Sequence, residues 1–123
     1  MTAPGRQRVD VDELLTAVAA RHGGEVVAGV AGLSLEGDRQ LLERALAAFC
    51  EAARAAGAST VRFAAQQLPA HVAIHCEHDG TGRWRPCPTL AVALAVHDGS
   101  LRCTSLPRGL RRTLLLPQPV AAV

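Results

Sequence analysis

The chain has 123 residues, 49% hydrophobic and 20% charged; this is the make-up of one globular domain able to bury roughly two-thirds of its unfolded surface, and it excludes a disordered, charge-rich chain. The formal net charge of +2 is too small to mark a nucleic-acid partner, since the thirteen basic residues, all arginine, are scattered from Arg6 to Arg112. The longest apolar run, residues 90–96, falls far short of the ~20 residues of a membrane span, and no apolar leader opens the sequence, so a cytoplasmic protein with no membrane partner is expected.

Residues 1–8, with their Pro, Gly and Arg, read as a flexible tail and 119–123 as a second one, leaving 9–118 as a single domain. From Val9, acids at the start and apolar residues at Val11, Leu14, Leu15 and Val18 predict an amphipathic helix ended by Gly23-Gly24. "EVVAGV" and "LSLEG" then read as two short strands joined by a turn at Ala31-Gly32. A second helix has Asp38 as N-cap, Gly57 as C-cap and a stripe through Leu42, Ala45, Leu46, Phe49 and Ala53.

After Gly57 the period changes from 3.6 to 2. "STVRFAAQ" alternates Val61, Phe63 and Ala65, and "HVAIHCEH" alternates Val72, Ile74 and Cys76, with "LPA" as the turn. A short apolar helix, "TLAVALAVHDG", follows, with His97 and Asp98 expected as its solvated end. Two closing strands, "SLRCTSL" and "RRTLLLP", meet at "PRG". The order α, ββ, α, ββ, α, ββ predicts a two-layer α/β (α+β) sandwich: a mixed, mostly antiparallel sheet of about five to six strands with three helices on one face.

Four stretches carry a family resemblance: "VDVDELL", "LEGDRQLLERALAAF", "VAIHCEHDGTG" and "HDGSLRCTSLPRGLRRTLLLPQP". In order and spacing they resemble the ATP-binding domain of bacterial sensor histidine kinases, the GHKL or Bergerat fold. The third is similar to the strand leading into that family's DxGxG turn, and the fourth to its GG-x-L-x-x-x-S-x-x-G-x-G-T-x-x-x-x-x-LP ending. The resemblance implies a magnesium-ATP site, yet three parts of it are altered here. The helix asparagines fall on Ala48 and Ala52 in one register, or on Ala47 and Glu51 in another, and a methyl group offers no oxygen to magnesium. His78 stands in place of the turn's aspartate, with Asp79 beside it expected to point to the other side, while Gly80 and Gly82 keep the turn. Only "RWRPCPT" spans the gap where the family has a lid and a second glycine motif, too little for both.

The expectation is a degenerate, non-enzymatic domain with no catalytic residues and no cofactor, ATP and magnesium included. Ala48, Glu51, Ala52, His78, Asp79, Gly80 and Gly82 would be its vestigial nucleotide site. Such a domain would work in bacterial signalling by docking a partner protein or itself. Arg83, Trp84 and Arg85 are either part of a partner-binding surface, because Trp and Arg are enriched at hot spots, or a plug for the vacated pocket. An alternative is a reduced, magnesium-independent site for a nucleotide or small ligand read by His78 or Asp79. A second alternative is a metal site of Cys76, His78 and Cys87, which lacks a characteristic spacing. Without a CxxC pair, the four cysteines, Cys50, Cys76, Cys87 and Cys103, are expected to stay reduced.

Overall fold

Two aspartates start the two long helices. Asp10 accepts a hydrogen bond from the Glu13 amide at 3.1 Å and heads α1 (Val11–His22), with Asp12 and Glu13 in its first turn and Arg21 and His22 in its last, the arrangement that suits the helix dipole. Gly23, at φ 74°, ends it. Asp38 caps α2 (Arg39–Ala55) in the same way through the Leu41 amide, and Gly57, at φ 83°, turns the chain out of it. A computed structural model of the chain describes residues 6–27, 32–81 and 87–118.

Arg6–Asp10 form strand β1, so the tail expected over residues 1–8 becomes ordered strand at Arg6. Its partner is β3 (Ser34–Asp38), in an antiparallel ribbon that sets Val9 opposite Leu35; both side chains are buried against the helices. Among the described residues, the two strands expected from "EVVAGV" and "LSLEG" do not pair with each other. β2 (Glu25–Val26) instead runs parallel to β4 (Val61–Gln67), placing Val26 beside Phe63. Register follows burial: Leu35 reaches the core by joining Val9, and Val26 by joining Phe63.

The main sheet has the order β2-β4-β5-β7-β6, with β5 (His71–His78), β6 (Ser100–Ser105) and β7 (Leu110–Pro117) antiparallel to their neighbours. The architecture is thus an α+β sandwich of a five-stranded mixed sheet and a two-stranded ribbon, with three helices packed on one face. Alternation along the strands sends Phe63, Val72, Ile74, Cys76, Leu114 and Leu116 into that face, where they meet Leu14, Leu15, Leu42, Leu46, Phe49 and Leu90.

Of the buried polar residues, His78, His97, Arg112 and Thr113, two are only 2% exposed. Arg112 lies opposite Cys76 on one side and Cys103 on the other, and is only 2% exposed. Burial pushes its guanidinium down to about 10, the nearby thiols of Cys103, Cys76 and Cys87 opposing this, so it stays charged at neutral pH.

The other is His97, which closes α3 (Pro88–Val96). Expected in solvent, it is 2% exposed. Nδ1 lies 2.7 Å from the Ala93 carbonyl oxygen and Nε2 accepts the Asp38 amide at 2.9 Å, tying the end of α3 to the start of α2. The two bonds require the Nδ1–H tautomer. Asp98 takes the left-handed turn beyond it, at φ 52°.

Candidate functional site

A cavity of about 1000 Å³ opens where the C-terminal half of α2, the end of β5 and the β6–β7 hairpin converge. Helical spacing brings Phe49, Ala52, Ala53 and Ala56 to one wall; the turn His78–Thr81 forms the second, and Pro107–Leu110 the third. The hairpin belongs here because β7 pairs with β5 in a register that sets Leu110 against His78. Gly109, at φ 94°, lies so close that a Cβ would run into the His78 carbonyl oxygen and come within 2.7 Å of Asp79 Cα.

His78 is 9% exposed, its ring tilted against Phe49 with centroids 5.7 Å apart. The Gly80 amide donates to Nδ1 at 2.9 Å. An N–H donor on Nδ1 leaves that nitrogen without a proton, so the neutral ring carries its hydrogen on Nε2. Burial and then the charge of Arg112 lower the affinity of this ring for a second proton, opposed by Asp79. Among the described residues, Nε2 has no hydrogen-bond partner.

Asp79 serves the neighbouring turn. Its carboxylate accepts the amides of Ser59 at 2.7 Å and Thr60 at 2.9 Å, and the Ser59 hydroxyl. These bonds, that of the Ser59 hydroxyl foremost, hold it well below the usual carboxylate range. Gly80 does not need a positive φ: it is required by space, since a Cβ would stand 2.9 Å from the Ala56 oxygen and 3.0 Å from the Ala58 nitrogen. The Thr81 amide is spent on the same Ala56 carbonyl, at 3.1 Å.

The structure therefore gathers Ala52, His78, Asp79 and Gly80 around one cavity. Ala48, half-buried one turn earlier on α2, and Glu51, exposed, stand outside its described lining. Gly82, Arg83, Trp84 and Arg85 lie outside the described residues. Cys76, His78 and Cys87 do not converge as metal ligands: among the described residues no group of three or more His, Cys, Asp or Glu side chains is placed to hold an ion. Cys76 points into the core, where burial pushes its thiol far up, and Cys50 is likewise raised to about 11.

Leu110 and Arg108 are lining residues that the sequence reading passed over. The signal was present for one of them: counting back from Leu116-Pro117, the Thr of the closing motif falls on Leu110.

No protein-family model and no curated protein sequence matches the chain. Solved structures do. The ATP-binding domain of PrrB from Mycobacterium tuberculosis matches with a TM-score of 0.83, at 23% identity over 94% of this chain and 98% of that one. The histidine kinase domain of the E. coli osmosensor EnvZ matches with a TM-score of 0.75, at 17% identity over 100% and 94%. The fold is that of the sensor histidine kinase ATP-binding domain. A third structure with this kinase fold, the histidine kinase ThkA in complex with the response regulator TrrA, matches with a TM-score of 0.75 at 12% identity, over 93% of this chain and 42% of that one. Among the described residues no helix of this kinase-type domain is long and apolar enough to cross a membrane.

Proposed function

We propose that this chain is a degenerate histidine-kinase-type domain that has given up magnesium-ATP chemistry and serves bacterial signalling as a protein-interaction module. The carrying observation is the bond from the Gly80 amide to His78 Nδ1. It leaves a donor, Nε2–H, where the family's turn has an acceptor for the adenine amino group. The rest of the site agrees. Magnesium takes near-octahedral oxygen ligands, whereas Ala48 and Ala52 offer methyl groups and the Asp79 carboxylate is committed to Ser59 and Thr60. The Gly80 and Thr81 amides already have acceptors and are not open to an anion.

A protein partner is supported by α3, whose residues 88–96 include no charged side chain and which leaves Val92 52% and Val96 46% exposed. A helix apolar all round is ordinarily covered. By analogy with the ThkA–TrrA complex, a signalling protein is the partner class. Calorimetric titration with ATP and ADP in the presence of magnesium tests the loss of the nucleotide site. No binding is expected at 1 mM ligand, on the order of the weakest affinities that count as specific; micromolar binding would overturn the reading.

A further inference from the structure

The main sheet has two outer strands, and they differ in how they are guarded. β2 is two residues long, and its Glu25 is paired with Arg62. β6 runs for six residues, five of them exposed, and pairs with β7 from Ser100 to Ser105 without a bulge. It holds no proline and only one charged residue, Arg102. Short length, bulges, prolines and charges are the usual devices that keep an open edge from pairing, and β6 has little of any of them.

Which backbone groups of β6 are open follows from the phase of its hydrogen bonds. The Leu106 amide donates to the Gly109 carbonyl at 3.1 Å, so 106 and 109 form a hydrogen-bonded pair; alternation makes 104–111, 102–113 and 100–115 pairs of the same kind. The Gln118 amide, bonded to the Ala70 carbonyl at 2.9 Å, gives the same phase independently: it assigns the even residues of β7 to β5 and leaves the odd ones for β6. Leu101, Cys103 and Ser105 therefore turn their N–H and C=O groups to the open edge, where the described residues supply no partner.

We propose that two copies of this chain associate by pairing β6 with β6, antiparallel, about a two-fold axis at Cys103. This two-fold register uses every open group: Leu101 of each copy meets Ser105 of the other, and Cys103 meets Cys103. Three hydrogen-bonded pairs give about six main-chain bonds, the source of affinity in strand addition generally. Arg102 falls opposite Thr104, so no like charges face each other. The self-complementary register is what favours a second copy as the occupant, and such a contact, the same patch on both partners, closes on itself. The inference concerns an edge that the nucleotide reading above does not use.

Sedimentation equilibrium of the full chain under reducing conditions tests it, from about 5 to 500 μM, a range that spans weak specific affinities. A monomer–dimer equilibrium is expected. Cys103→Pro removes only an open-edge N–H, since the bonds to β7 run through 100, 102 and 104, and should weaken the dimer about tenfold or more. Thr104→Arg sets arginine against Arg102 twice and should weaken it about fivefold, whereas Thr104→Glu should tighten it by a similar factor. Val92→Glu, on the outer face of α3, should leave it unchanged. The Cys103 Cα atoms of the dimer stand about 5.5 Å apart, within the span of a disulfide, so diamide, which takes up the two thiol protons and two electrons, should link the copies through Cys103. If Cys103→Pro does not fold, as thermal unfolding will show, the opposite responses of the two Thr104 variants still decide. A monomer at every concentration, a dimer indifferent to the charge at 104 or lost with Val92→Glu, or a link through Cys87 would overturn the inference.

Discussion

His97→Ala tests the strut between α3 and α2. The imidazole is 2% exposed and bonded at both nitrogens, to the Asp38 amide at 2.9 Å and the Ala93 carbonyl at 2.7 Å. Removing it leaves the part-buried Asp38 amide without an acceptor, at a cost of about 1–3 kcal/mol. Vacating the ring adds a cavity contribution of about 1 kcal/mol, at the low end for a buried large-to-small change because the group lost is polar. The Ala93 carbonyl loses less, since it also accepts the His97 amide at 3.2 Å. The sum is about 3 kcal/mol. A domain of this length shifts by about 4 °C per kcal/mol, so a fall in Tm of about 12 °C is expected by calorimetry or circular dichroism. His97→Gln, which carries an acceptor at the reach of Nε2, should recover about half of the loss. A fall of less than about 4 °C for His97→Ala, or equal falls for the two variants, would refute the assignment of His97 as a bonded strut.

Gly109→Ala should lower Tm by about 12 °C, because the residue sits at φ 94° and its new Cβ meets the His78 carbonyl and Asp79. The left-handed backbone alone costs about 1–2 kcal/mol, and an unchanged melting curve would show that the hairpin is free to move off the β5 end. The Asp79 clamp predicts a pH signature. Its folded carboxyl titrates below the ordinary value of 3.8, so the stability it contributes is complete above about pH 4 and is lost as pH falls further. Asp79→Asn should therefore melt lower than the parent at pH 7, with the gap closing below about pH 4; a gap independent of pH would count against the clamp. His75 and His78 have the complementary sign. Both are depressed from 6.5, mainly by burial, so the folded chain holds fewer protons than the unfolded one and should lose stability as pH drops through about 6.5, with a flat Tm between pH 7 and 5 as the contrary result.

The helices and the two local strand pairs were legible in the sequence because each is written in neighbouring residues. Asp38 with Leu42, Ala45, Leu46 and Phe49 carries a cap and a 3.6 period, and Val72, Ile74 and Cys76 carry a period of 2. The order of these elements, together with "HDGTG" and the closing "LLLP", also sufficed to anticipate a kinase-type sandwich, which the structural matches bear out. Tertiary structure alone decided which strands share an edge. β2, ending at Val26, joins β4, starting at Val61, in parallel across the 34 residues 27–60, and β1 joins β3 around the whole of α1; pairing between distant segments depends on which apolar side chains find the core together, and no local pattern records that. The same reason explains the residues whose roles were misread or missed. His97, taken for a solvated end, is buried because Gly37 leaves room for its ring against β3. Arg112 follows the alternation of β7 inward to sit beside Cys76. The polarity of His78 is set by one amide two residues away, and the third wall of the cavity that His78 lines comes from the distant hairpin at 107–110.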